Sequence, residues 1–194
     1  MSADRRPHGR VTGMDAVHRL NALQTALVVI DVQGSFLRIA HDADGVLSRL
    51  ASVLAEARGG GADVFFTRQR FGDRIPSIVP AVAPAGGDVV LTKDSPDAFD
   101  GTGLFETLAA AGITCVVIAG FATEACVDST ARSALSRGFD VVLVSDCHTT
   151  TIDRGADPVG APGVIAHYNA TFARLEYPGR SIVIAPGERI RFSS

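Results

Sequence analysis

Three residues of this chain could carry nucleophilic chemistry, and each closes or follows an apolar run. Asp31 ends Val28-Val29-Ile30-Asp31, Lys93 ends Val89-Val90-Leu91-Thr92-Lys93, and Cys126 lies in Gly120-Phe121-Ala122-Thr123-Glu124-Ala125-Cys126-Val127. A thiol acts as a nucleophile when a base takes its proton and a cation steadies the resulting charge. An aspartate, a lysine and a cysteine brought together would supply those parts. Each also has a plainer explanation: a strand-end cap for Asp31, a small buried hydrophobe for Cys126, a solvated cation for Lys93. Lys93 is singular in another way. Of the 18 basic residues, 17 are arginine and one is lysine. A compact ammonium and a planar guanidinium are not interchangeable. A lysine kept in so arginine-rich a chain points to a need for lysine as such, with chance survival the alternative.

The elements that must position these residues alternate in period. Ala26–Asp31 predicts a buried strand, and Gly45–Arg58 an amphipathic helix with Val46, Leu50, Val53, Leu54 and Ala57 on one face, stopped by Gly59-Gly60-Gly61. Asp63–Thr67 predicts the second strand, Phe71–Pro84 a loop, and Asp88–Lys93 a short third strand. Gly103–Ala111 predicts a helix, Cys115–Ala119 a strand, Glu124–Arg137 a helix and Asp140–Val144 a strand, before a last helix at Pro162–Leu175 and a last strand at Ser181–Ala185. Apolar strands alternating with helices make right-handed crossovers and a parallel sheet covered on both faces. In such sheets ligands bind beyond the carboxyl ends of the strands, where Asp31, Lys93 and Cys126 fall. Residues 1–24 read as an N-terminal extension, mobile over Met1–Gly13 with a short helix at Met14–Leu23, ahead of one α/β domain over residues 25–194. There is no internal repeat.

Composition narrows the classes. The chain has 194 residues, 46% of them hydrophobic and 20% charged, enough for one domain with a substantial core. Its net charge of −3 removes the basic footprint of a nucleic-acid binder. The apolar runs are strand-length, far short of the ~18 residues of a membrane span. Cys115, Cys126 and Cys147 are odd in number and lack CxxC spacing, which argues against a disulfide scaffold or a thiolate zinc site. No secretory leader is evident in the basic, polar start, and a cytoplasmic location is expected.

The chain resembles the isochorismatase-like cysteine hydrolases, the superfamily of nicotinamidases and N-carbamoylsarcosine amidohydrolases. Asp31-Val32-Gln33 with Phe36 is similar to its D-x-Q-x-x-F start, and Lys93, Phe99, Thr102 and Leu104 to its K-x(5)-F-x-x-T-x-L stretch. GFATEACVDSTAR at Gly120–Arg132 resembles its G-x-x-T-[DEN]-x-C-V segment. Asp146–Thr150 and Ala166–Asn169 resemble segments of one branch, so the likeness spans roughly residues 25–186. It implies a Rossmann-like three-layer α/β/α fold with a mainly parallel six-stranded sheet in the order 3-2-1-4-5-6. It implies Cys126 as nucleophile, Asp31 as base and Lys93 as the cation that orients both. It further implies a cis peptide between Phe121 and Ala122, an oxyanion hole from the Ala122 and Cys126 N–H groups, and substrate-binding roles for Gln33, Phe36, Phe99 and Phe121. For Phe36 and Phe99 an ordinary core role is the alternative.

Two departures narrow the activity. Nicotinamidases carry an aspartate and two histidines as a metal site after the second strand, whereas Thr67–Asp73 holds no histidine, so no metal and no cofactor are expected. Isochorismate vinyl-ether hydrolases lack the cysteine that this chain has. A metal-free hydrolase of C–N bonds in small amides, ureido or carbamoyl compounds, or lactams remains. The competing readings are an idle binding or assembly member of the fold and a thiol-redox protein using Cys126 and Cys147. Arg68, Arg70 and Arg74 could bind a substrate carboxylate or be solvated. The Asp146–Thr150 turn with His148 suits a structural role, and His167 a packing or subunit contact. A homodimer or homotetramer is expected.

Overall fold

The computed structural model describes residues 17–153, 155 and 158–193. Its eight strands are β1 (His18–Asn21), β2 (Thr25–Ile30), β3 (Asp63–Gln69), β4 (Val89–Lys93), β5 (Cys115–Phe121), β6 (Asp140–Thr149), β7 (Ile182–Ala185) and β8 (Ile190–Ser193). The α-helices are α1 (Phe36–Ile39), α2 (Ala43–Gly60), α3 (Leu104–Ala110), α4 (Asp128–Arg137) and α5 (Ala161–Arg174). Strands β4-β3-β2-β5-β6-β7 form one parallel sheet, the order expected from the resemblance. β2 is buried at every position, as a central strand covered on both faces must be. Val46, Leu50, Val53 and Leu54 of α2 pack on one face with Leu27, Val29, Val64 and Phe66. Leu104 and Leu108 of α3, Ala131 and Leu135 of α4 and Phe172 of α5 pack on the other with Val28, Ile30 and Phe65.

Strand order reverses direction between β2 and β5, and the crevice at that switch point is where a parallel sheet opens to ligands. The two strands approach closely there. A Cβ on Gly120, whose φ is +126°, would lie 2.1 Å from the Ile30 carbonyl oxygen, so only glycine fits.

Four expectations are corrected. His18–Asn21 is a strand rather than part of a helix, and it pairs in parallel with the unforeseen β8. Four extended residues held by one neighbour leave too short a pattern to read. Residues 1–13, expected to be mobile, lie outside the described residues. Helix α2 runs on through two of its three glycines, because the missing Cβ of Gly60 makes room for Phe192 and Gly61 takes the left-handed cap (φ 81°). The helix expected from Glu124 opens instead as a π turn, Thr123–Val127, before α4. Finally, β6 continues past Val144 to Thr149 through a register shift that sets His148 beside Gly120 and Thr149 beside Phe121. The stretch expected as a turn is therefore part of the sheet.

Candidate active site

The three chemistry-bearing side chains meet at the carboxyl ends of β2, β4 and β5. Lys93 Nζ lies 2.7 Å from Asp31 Oδ2 and 3.3 Å from Cys126 Sγ. Lys93 is 1% exposed and Asp31 6%, so the ion pair is withdrawn from water, while Cys126 is half-buried. Buried charges persist where hydrogen bonds complete their shells. Around Lys93 those bonds are present: it donates to Gln69 Oε1 (2.6 Å) and to the carbonyls of Ser95 (2.9 Å) and Pro96 (3.3 Å). Asp31 Oδ2 takes no hydrogen bond and is held by the ammonium's charge. Asp31 Oδ1 accepts from the Thr67 hydroxyl at 2.8 Å. Asp31 adopts φ 50°, a left-handed conformation uncommon for a residue with a side chain, immediately past the end of β2.

The Cys126 thiol is pushed up to about 11, first by burial and then by the Asp31 charge and hydrogen bond, with Lys93 pulling the other way. A resting thiol beside a carboxylate and an ammonium can pass its proton to the carboxylate as it attacks an electrophile. The Phe121–Ala122 peptide is cis. It joins the end of β5 to the π turn that carries Cys126, and the Ala122 carbonyl accepts from the Ala125 and Val127 N–H groups (3.0 and 3.1 Å).

That turn is tied to β6. Asn169 Nδ2 donates to the Ser145 carbonyl at 3.0 Å, so its Oδ1 accepts from His148 Nε2 at 2.9 Å, and His148 Nδ1 accepts from the Thr123 hydroxyl at 2.9 Å. Burial lowers the His148 pKa, which keeps the ring neutral in this chain of bonds. Thr150 Oγ1 donates to Glu124 Oε1 at 2.7 Å, a second tie. On the other side, Ala98 N donates to the Thr130 hydroxyl of α4 at 3.0 Å, joining the Lys93 loop to the Cys126 helix.

The remaining expected residues fall in different places. Phe36 is fully buried in the core layer on the α2 face and meets the half-buried Phe121 edge to face, ring centroids 5.6 Å apart. Phe99 is a core aromatic too, stacked on Phe139 (5.9 Å) under the Arg137 guanidinium (5.3 Å). Gln33 has both ends of its amide engaged by backbone: Oε1 accepts from Gln69 N (2.7 Å), and Nε2 donates to the carbonyls of Gln69 (2.9 Å) and Pro76 (3.4 Å). Arg70 pairs with Asp94 (2.9 Å), and Arg74 is exposed in the turn it makes with Phe71. Arg68 alternates with Thr67 and Gln69 along β3, on the face away from Asp31. His167 is exposed on α5. Cys147 is fully buried in the layer on the α2 face, whereas Cys126 packs against the opposite layer, so the two thiols are not brought together. Thr67 and Gln69 went unrecognised in the sequence. The signal was their shared phase on β3, which became informative only with Gln69 registered opposite Lys93. Among the described residues, no group of three His, Cys, Asp or Glu side chains could hold a metal ion, and no helix is long and apolar enough to cross a membrane.

Residues 25–157 match the family model described as the Isochorismatase domain. Over 173 residues the chain is 35% identical to a streptothricin hydrolase of Streptomyces noursei, covering 81% of this chain and 65% of that protein. It spans 49% of a second streptothricin hydrolase from the same organism. A maleamate amidohydrolase of Pseudomonas putida is 38% identical over 87 residues, 45% of this chain and 39% of that one. The crystal structure of a cysteine hydrolase from Pseudomonas syringae pv. phaseolicola shares the fold, with a TM-score of 0.78 at 21% identity over 87% of this chain and 91% of that one.

Proposed function

The chain belongs to the isochorismatase family, and from that premise we propose that it is a cysteine-dependent hydrolase of C–N bonds in small amides, ureido or carbamoyl compounds, or lactams. The observation that carries the reading is the buried Lys93 ammonium, 2.7 Å from a carboxylate and 3.3 Å from a thiol. The named activities of the amidohydrolase relatives support the bond type.

In this mechanism Cys126 Sγ attacks the carbonyl carbon while its proton passes to Asp31. The oxyanion is received by the Ala122 and Cys126 N–H groups, donors aimed where charge develops. The C–N bond then breaks, and the amine leaves with the proton from Asp31. Water attacks the resulting thioester, gives a proton to Asp31 and releases the acid, and the thiol is restored. Lys93 holds the carboxylate and steadies the thiolate throughout. Phe121, backed by the buried Phe36, forms an apolar wall of the substrate pocket. No metal takes part, and the protein acts as a cytoplasmic homodimer or homotetramer, which light scattering would size. The test is release of ammonia or amine across a panel of small amides, ureido acids and lactams. Release by the native protein and none by Cys126→Ala is the expected result; full release by Cys126→Ala contradicts the proposal.

A further inference from the structure

Lys93 faces more acceptors than it has protons. Gln69 Oε1 (2.6 Å), Asp31 Oδ2 (2.7 Å), Ser95 O (2.9 Å), Pro96 O (3.3 Å) and Cys126 Sγ (3.3 Å) all lie around Nζ. An ammonium carries three N–H donors and no acceptor. Gln69 makes the shortest of these contacts, and the Ser95 carbonyl is fixed in the backbone beside it. Both are neutral and remain acceptors wherever the proton sits between Asp31 and Cys126. One donor is left for the Pro96 carbonyl and the Cys126 sulfur, while Asp31 Oδ2, 2.7 Å away, takes no hydrogen bond and meets the ammonium by charge alone.

Gln69 is itself held rigidly. It stands opposite Lys93 in the β3–β4 register, and its backbone N–H and C=O are both clamped by the Gln33 amide, at 2.7 and 2.9 Å. Its side-chain orientation is determined as well, since an ammonium can only donate and Nε2 donates to the Arg70 carbonyl at 3.2 Å. We propose that Gln69, clamped by Gln33, is a positioning residue that occupies one Lys93 proton and so limits what the ammonium can donate to Cys126. Before attack the remaining N–H is directed at the thiol sulfur, and Asp31 Oδ2, held by charge alone, can take the thiol proton. When that proton moves to Asp31, the carboxyl becomes neutral and the same N–H holds the thiolate, with no proton gained or lost. This inference rests on the hydrolase reading for its purpose but not for its measurement.

The test is the pH dependence of Cys126 alkylation by iodoacetamide in the full chain, with circular dichroism confirming that each variant folds. Gln69→Met keeps the length and removes the acceptor. A second donor then reaches the sulfur, and the thiol titrates about one unit lower, or roughly tenfold more thiolate at fixed pH. Gln69→Glu draws the ammonium away and adds negative charge, so the thiol titrates about one unit higher. With an accepted amide, Gln69→Met lowers kcat and leaves KM unchanged. A Gln69→Met thiol that titrates with or above the native one overturns the inference, whatever amide release shows. Failure of the hydrolase reading registers separately, as full release by Cys126→Ala.

Discussion

The two sides of the crevice are built differently. On the β2–β3–β4 side, Asp31 and Lys93 are almost wholly buried, and neutral partners from Thr67, Gln69, Ser95 and Pro96 surround them. On the β5–β6 side, Cys126 is half-buried on a π turn and secured from behind by Thr123, His148 and Asn169. One side fixes charge where water cannot screen it, and the other leaves a thiol partly exposed. The proposed chemistry on the thiol needs this asymmetry, because an exposed Asp–Lys pair would be weakened by solvent and a buried sulfur could not be approached.

The largest predicted effect breaks the charged side while leaving the thiol in place. Asp31→Asn should cut turnover roughly a thousandfold or more. It should also move the thiol titration below its value of about 11, because the carboxylate is one of the groups holding it up. Alkylation profiles and amide release measured on one preparation separate base from bystander; retained turnover removes Asp31 from the proton path. Lys93→Arg keeps the charge but sets a wider fork among five close acceptors, and the expected loss is about a hundredfold. Measured kcat near the native value shows that any cation suffices there.

On the other side the effects are smaller. Thr123→Val leaves the buried His148 Nδ1 without its donor, at a cost of about 1–3 kcal/mol in stability, read from the urea midpoint. An unchanged midpoint means the β6 tether does not hold the turn. All three thiols titrate above the ordinary 9.0 in the folded chain, Cys126 to about 11 and Cys115 to about 12, each chiefly through burial. Unfolded thiols therefore lose protons first. Above about pH 9 the unfolded state binds fewer protons than the folded one, and stability falls as pH rises toward the folded values. Urea midpoints that decline from about pH 8 to about pH 10 bear this out, and midpoints that rise contradict it.

The asymmetry was only partly legible in the sequence. The central strands are continuous apolar runs and the helices carry periodic apolar faces, so the sheet and its layers could be read directly. Strand ends marked Asp31, Lys93 and Cys126, and the ordered motifs around them identified the family that the Isochorismatase match then showed. What stayed hidden depended on contacts distant in sequence. Thr67 and Gln69 are ordinary strand-end polar residues until β3 aligns with β2 and β4. Ser145–Thr149 is a polar run that continues as strand only because β5 shifts register beside it. Phe99 fits a pocket aromatic or a core aromatic equally well by type, and Phe139 and Arg137 decide it for the core. The π turn has no compositional mark, since Thr123–Val127 would suit an α-helix as well.

If the buried pair drives covalent chemistry on Cys126, the mass of the protein quenched during turnover of an accepted amide, with peptide mapping of the adduct, will reveal it. The expected result is an added acyl group on the Cys126 peptide, absent from Asp31→Asn. Steady turnover in which no adduct ever forms, together with a Cys126→Ala variant that turns over at the native rate, would contradict it.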